Sequence, residues 1–148
     1  MRRCVCPPGR AEAYRARLSG PVADRIDLHV QVARLDRDEL MGSSEAEPSA
    51  AIRARVAAAR ERALARGQQR PNAELGPREA RAAAGLEASA AALLERAVDR
   101  LGLSARAHDR LLRVARTIAD LAGADRVAAD HLAEAIGYRE PAPGGVMA

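Results

Sequence analysis

The sequence has no phenylalanine and no tryptophan, and Tyr14 and Tyr138 are its only aromatic residues. Proteins that bind single-stranded nucleic acid without sequence preference stack the bases on aromatic side chains, so the composition argues against such a surface. The core has to be built from Ala, Leu, Val and Ile, which suits closely approaching helices. A chain of 148 residues forms one domain, or one small domain with a fragment of another.

Lysine is absent as well, and all 24 basic residues are arginines. No Gly-x-x-x-x-Gly-Lys-Ser/Thr phosphate loop occurs, and no acidic Walker B run follows an apolar strand. We therefore expect no ATP hydrolysis by this chain alone. The net charge of +4 permits binding to polyanions, but 20 acidic residues are interspersed with the arginines and no long basic run occurs.

Long hydrophobic runs are missing, and cysteine is rare. No apolar run approaches a membrane span, and the N-terminus lacks the apolar region of a signal peptide, so we expect a cytoplasmic protein without a membrane partner. Cys4 and Cys6 stand too close for an unstrained disulfide. Structural zinc needs four ligands, and His29, His108 and His131 lack ligand spacing, so free thiols are expected and no metal site.

A polar linker near residue 45 separates two parts of different character. Before it, residues 11–18 predict a short helix, and Ser19-Gly-Pro21 ends it. A helical turn through Asp24 follows, and alternating apolar residues over 26–32 predict a strand. That strand has no visible partner, although a strand needs neighbours for stability. We therefore expect the chain to be a fragment of a longer protein.

After the linker the sequence predicts helices throughout, bounded by proline, serine and glycine. Ser49 and Ser104 are expected to cap two of them. The expected helices cover residues 49–66, 77–84, 87–101, 104–122 and 130–138. The positions expected to be buried are Ile52, Val56, Ala59 and Ala63, then Ala90, Leu94, Ala97 and Leu101, then Leu111, Ala115, Ile118 and Ala122, and finally Leu132 and Ile136. The pattern predicts a mainly α fold with a helical bundle over residues 46–139 and a disordered tail over 140–148.

Arg25 is a first candidate for a binding site. It stands between Asp24 and Asp27, where the helical turn meets the predicted strand. Its planar guanidinium suits a phosphate or carboxylate on a neighbouring molecule. The two aspartates could equally hold it as a structural ion pair.

A stripe of three arginines is the second candidate. Arg106, Arg110 and Arg113 lie at i, i+4 and i+7, so they share one face of the predicted helix. The stripe could bind a polyanion. It could equally be a solvated face on which Asp109 pairs with Arg106 or Arg113.

Three segments carry a family resemblance. Residues 19–28, Ser-Gly-Pro-Val-Ala-Asp-Arg-Ile-Asp-Leu, resemble the Ser-Gly-Pro-Leu-Leu-Asp-Arg-Ile-Asp-Leu signature of the magnesium-chelatase-like AAA+ ATPases of the YifB/ComM type. Residues 102–123 and 131–139 are similar to the C-terminal block of that family, which is related to magnesium chelatase and the MCM helicases. The matches occur in the family's order and cover most of residues 4–139.

The resemblance implies an architecture and two residue roles. Residues 1–45 would be the C-terminal remnant of an AAA+ α/β core, with short helices and one strand, and residues 46–139 the all-α helical lid. Arg25 matches the arginine finger, which reaches across a subunit interface to the γ-phosphoryl of a neighbour's ATP. Arg106 matches the sensor 2 arginine, which contacts nucleotide phosphates from the lid. Arg110 and Arg113 remain candidates for contact with nucleic acid.

The resemblance also implies cofactors and partners. The complete ATPase would use ATP and Mg²⁺, and none is expected for this chain alone. Its partners would be the missing AAA+ core or other subunits of a hexameric ring that remodels DNA, of the branch-migration type. Cys4 and Cys6 match the last two cysteines of a Cys-rich element, which is incomplete here. The alternative is a free-standing helical module that binds DNA or a protein through the arginine stripe.

Overall fold

Helices dominate the computed structural model, which describes residues 7–17, 22, 25–30, 32, 37, 41–42 and 47–139. The mainly helical fold class predicted from the sequence is confirmed. The helices are α1 (Arg10–Arg15), α2 (Ser49–Ala65), α3 (Pro77–Ala84), α4 (Ala88–Leu101), α5 (Ala105–Ala122) and α6 (Ala129–Gly137), with a 3-10 turn at Asn72–Glu74. The order of helices after the linker is the predicted one.

Local capping signals set most helix boundaries. The Ser104 hydroxyl accepts a hydrogen bond from the Ala107 N–H at 3.2 Å, as predicted for the start of α5. Gly102 and Gly123 end α4 and α5 with φ angles of 58° and 79°, which only glycine adopts without strain. Pro77 is the first residue of α3. These four boundaries were predicted correctly because each depends on neighbouring residues alone.

Helix α5 lies at the centre of the bundle, where it packs against α2, α3, α6 and the 3-10 turn, while α4 packs against α6. The core is aliphatic and rich in alanine, as expected for a chain without Phe or Trp. Its buried residues are Ala84, Ala90, Leu94, Leu111, Leu112, Ala115, Ala119, Val127, Leu132 and Ala135. Small side chains on α5 let the neighbouring helices approach it closely.

The predicted apolar face of α2 is not buried. Ile52 and Val56 are 42% and 39% exposed, and no residue of α2 is buried. The polar contacts of α2 with the bundle come from its C-terminal turn, where Arg62 and Arg66 pair with Asp125 and Asp120. The expected Ser49 cap is also wrong, because Pro48 occupies the cap position and no side chain caps the helix.

Four predicted core positions outside α2 are less buried than expected. Leu101 is 43% exposed and Ala122 is exposed, because they are the last residues of α4 and α5 and extend past the helices that cover the core. Ile118 and Ile136 are partly buried against the core. The central predictions are confirmed: Ala90, Leu94, Ala97, Leu111, Ala115 and Leu132 are buried.

The strand predicted over residues 26–32 is not formed. Residues 26–30 and 32 have no strand structure, and the described ranges offer no neighbouring strand to pair with them. Instead, the His29 N–H donates a hydrogen bond to the Tyr138 carbonyl at 2.8 Å, so the segment lies against the end of α6. Most of the turn through Asp24, the two cysteines and residues 140–148 lie outside the described residues.

A buried ion-pair network connects α5 to the loops around it. Arg116 is fully buried and donates hydrogen bonds to the Asp120 carboxylate at 2.9 Å and to the Ala124 and Asp125 carbonyls at 2.6 and 2.9 Å. Asp120 also accepts two hydrogen bonds from Arg66, at 2.5 and 2.9 Å, and one from the 3-10 turn. The network therefore fixes the end of α2, the 3-10 turn and the loop after α5.

The pKa values of Asp120 and Arg116 depend on both the burial of these side chains and the charges around them. Burial is the largest influence on Asp120 and raises its pKa, but hydrogen bonds from Arg66 and Asn72 and the charge of Arg116 outweigh it, so the pKa lies below the usual 3.8. Burial is the largest influence on Arg116 and, with the charge of Arg66, keeps its pKa below the usual value although the Asp120 carboxylate raises it. Removing either partner would leave an uncompensated charge inside the protein.

Candidate functional site

An open cavity of about 820 Å³ lies along the N-terminal half of α5. Its lining residues are Arg25, Pro77, Ala105, Arg106, Asp109, Arg110 and Arg113. The fold therefore brings Arg25 together with all three arginines of the predicted stripe, although Arg25 is far from them in the sequence. With four guanidinium groups and one carboxylate, the cavity carries a net positive charge and suits an anionic ligand.

Helix starts position the walls of the cavity. The Ser104 cap fixes the first turn of α5, which carries Ala105 and Arg106, and the positive end of the helix dipole lies there. Pro77 begins α3 on the other side, where Glu79 accepts a hydrogen bond from the Gly76 N–H at 2.7 Å. That bond is the main cause that lowers the pKa of Glu79.

Two of the cavity arginines, Arg106 and Arg113, have no acidic partner among the described residues. Within the described ranges, the side chains of Arg106 and Arg113 form no ion pair and no hydrogen bond. The Nε of Arg113 is buried and has no hydrogen-bond partner there.

Arg110 differs from the other two arginines of the stripe. Its Nη1 lies 2.7 Å from Oδ1 of Asp27, and its side chain is only 19% exposed. Asp27 was expected to hold Arg25 if the aspartates had a structural role, and it pairs with Arg110 instead. Asp24, the other aspartate beside Arg25, lies outside the described residues.

Asp109 does not neutralise the stripe. One alternative from the sequence was that Asp109 pairs with Arg106 or Arg113, but its carboxylate contacts Arg81 at 3.2 Å and His108 Nδ1 at 3.1 Å. That pairing does not form because Asp109 is buried on the side of α5 that faces α3, which carries Arg81. The positive charge of the cavity is therefore only partly offset.

Two family models match the sequence in adjacent segments. The model described as magnesium chelatase, subunit ChlI C-terminal, matches residues 46–139, and the model described as magnesium chelatase, subunit ChlI, matches residues 1–40. The chain belongs to the magnesium chelatase ChlI family. The cavity of this ChlI-family protein combines Arg25 from the first matched segment with the α5 arginines of the second.

Several curated relatives are similar to this chain over most of its length. Competence protein ComM of Haemophilus influenzae is 41% identical over 133 residues, which cover 89% of this chain and 26% of ComM. YifB of Salmonella typhimurium is 43% identical over 135 residues, which cover 90% of this chain and 26% of YifB. YifB of Escherichia coli is 43% identical over 136 residues. The chain spans about a quarter of the length of these relatives and corresponds to their C-terminal part.

Sequence reasoning identified the four arginines of this ChlI-family cavity but missed its acidic contacts. Asp27 lies in the first matched segment and pairs with Arg110 of the second, and only the fold reveals such a partner. The described ranges contain no cluster of three or more His, Cys, Asp or Glu side chains that could hold a metal ion. In the same ranges, no helix has the length and apolar character needed to cross a membrane.

Proposed function

We propose that this chain supplies the arginine finger, Arg25, and the sensor 2 arginine, Arg106, of a magnesium-chelatase-like AAA+ ATPase. One observation carries the proposal: both arginines line the same cavity. The two roles follow from the resemblance of their sequence segments to the family. The shared cavity adds that both arginines would act on the same phosphate.

The charge and shape of the cavity suit a terminal phosphate. Guanidinium groups bind phosphate oxygens through paired N–H donors, and the Arg106 and Arg113 side chains have no partner within the described ranges. During phosphoryl transfer, negative charge is spread over the γ-phosphoryl oxygens, and cations that are already in place stabilise it. A concave site fits this compact group better than it fits an extended polymer.

The nucleotide would be held by a neighbouring subunit. The 148 residues contain no phosphate-loop motif, so the bound ATP and its Mg²⁺ would rest on another part of the assembly. In a ring of subunits, an arginine cavity on one subunit faces the nucleotide of the next. Because Arg25 and Arg106 share the cavity, we assign both to that neighbouring nucleotide.

The ring would couple ATP hydrolysis to DNA remodelling, as a branch-migration helicase does. The supporting observation is the similarity to a relative named competence protein ComM. The alternative, a free-standing module that binds DNA through the α5 stripe, is weakened by the pairing of Arg110 with Asp27. Binding of duplex DNA by this chain, with a steep loss on adding salt, would favour that alternative.

The Arg106→Ala variant of the complete ATPase tests the sensor 2 role. Hydrogen bonds to charged groups contribute about 1.5 to 3 kcal/mol, so kcat/KM for ATP should fall by about 10- to 100-fold. Arg106 is exposed, and its loss should not affect folding. Arg100→Ala, on an exposed turn of α4 away from the cavity, is the matched control. Equal kcat/KM values for the two variants would contradict the assignment.

A further inference from the structure

We propose that the ion pair between Asp27 and Arg110 is a latch that positions the finger segment, residues 25–30, against the lid helix α5. The inference rests on the function proposed above for Arg25. It gives Arg110 a role in positioning the finger. It also makes the position of the lid and the position of the finger interdependent.

The first support is the geometry of the pair. Arg110 Nη1 and Asp27 Oδ1 are 2.7 Å apart, which makes a close ion pair without the alignment of a hydrogen bond, and the two side chains are 19% and 47% exposed. Asp27 follows Arg25 by two residues, which span at most about 7 Å of chain. Fixing the Asp27 carboxylate on α5 therefore keeps the Arg25 backbone close to the cavity that Arg25 lines.

A second contact holds the segment two residues further on. The His29 N–H donates to the Tyr138 carbonyl at 2.8 Å, just beyond the end of α6. Residues 26–30 have neither helix nor strand structure of their own. Their position therefore depends on tertiary contacts, and these two come from α5 and from the residue that follows α6.

The latch has a mechanical consequence for the proposed ATPase. Because α5 also carries Arg106, a movement of α5 would shift Arg25 and Arg106 together towards or away from a phosphate. Arg110 would act through Asp27 on Arg25 without having to touch the nucleotide. Arg25 and Arg106 would then approach the phosphate together.

Hydrogen exchange at the His29 amide tests the latch in the 148-residue chain, without any ATPase activity. The charge reversals Asp27→Arg and Arg110→Asp should each accelerate exchange about fivefold, the fold-change that corresponds to the upper range for a partly exposed ion pair. Combining both reversals should restore the wild-type rate, because the pair can form with exchanged charges. Asp99→Asn, an exposed aspartate on α4, should leave the rate unchanged.

The outcomes separate the latch from the function proposed for Arg25. Unchanged exchange in both single variants, or no recovery in the double variant, would overturn the latch. Asp27→Asn, which keeps the size of the side chain, gives the same test if a reversal impairs folding. In the complete ATPase, Asp27→Asn should lower kcat and leave KM for ATP unchanged. Faster exchange with unchanged kcat would support the latch and count against the arginine-finger role of Arg25.

Discussion

If the proposed function is correct, replacing Arg25 by alanine in the complete protein should lower kcat for ATP about 10³- to 10⁵-fold, the range found for arginine fingers. The reason is that its positive charge would act mainly on the charge that develops on the γ-phosphoryl group in the transition state. ATP binding should survive, because the phosphate loop that holds the nucleotide would lie elsewhere. Steady-state kcat and the equilibrium affinity for ATP, measured on the same preparation, would separate the two effects.

Arg17→Ala is the matched control for this experiment. Arg17 is an exposed arginine in the same N-terminal part of the chain and does not line the cavity. We expect its replacement to leave kcat unchanged. Unchanged turnover in Arg25→Ala would remove Arg25 from the mechanism, and a loss of ATP affinity at constant kcat would indicate a role in ground-state binding instead.

Replacing Asp120 by asparagine should reduce the free energy of unfolding of this chain by about 3 to 5 kcal/mol. The substitution keeps the size of the side chain, but it removes the charge and replaces one acceptor oxygen by an NH2 donor. Arg116, which is fully buried, and Arg66 are left without their counter-ion. Urea denaturation followed by the helical circular dichroism signal measures the effect. Asp125→Asn is the control, because the Asp125 side chain is 98% exposed and its ion pair with Arg62 is 3.7 Å long.

The effect of Asp120→Asn should also depend on pH. The pKa of Asp120 lies below its usual value of 3.8 in the folded protein, so its contribution to stability is complete above that value and is lost as the pH falls through the folded pKa. The difference between wild type and variant should therefore be constant near neutrality and shrink below about pH 4. A difference that grows in acid, or stability losses equal to those of Asp125→Asn, would contradict this account of the network.

Local signals made much of the helical part of the fold predictable from the sequence. Pro77, Ser104 and the glycines at 102 and 123 act on the residues next to them, so no knowledge of tertiary structure was needed. Burial of Ile52 and Val56 was predicted from spacing alone and was wrong. Periodicity shows which side chains share a face, but it does not show whether another helix covers that face.

The candidate site was only partly predictable for the same reason. The i, i+4, i+7 spacing placed Arg106, Arg110 and Arg113 on one face, and the fold brings all three to one cavity. The partners of Arg110 and Asp109 come from other elements, and their identity depends on packing. The i, i+4 spacing of Arg116 and Asp120 on the Ala-rich face of α5 was a usable signal for the buried ion pair.

Mixed rings test the central claim, that Arg25 and Arg106 act on the same nucleotide, most directly. The experiment combines subunits carrying Arg25→Ala with subunits carrying Arg106→Ala. If both arginines of one subunit face one neighbouring nucleotide, every site in the mixture lacks one of them.

A mixture of Arg25→Ala subunits with subunits that lack a working phosphate loop is the positive control, because some of its sites are complete and ATPase activity should return. We predict that the mixture of Arg25→Ala and Arg106→Ala subunits has an ATPase activity between those of the two variants alone, and no higher than that of Arg106→Ala. Recovery of ATPase activity well above either variant would show that the two arginines serve different nucleotides and would contradict the account.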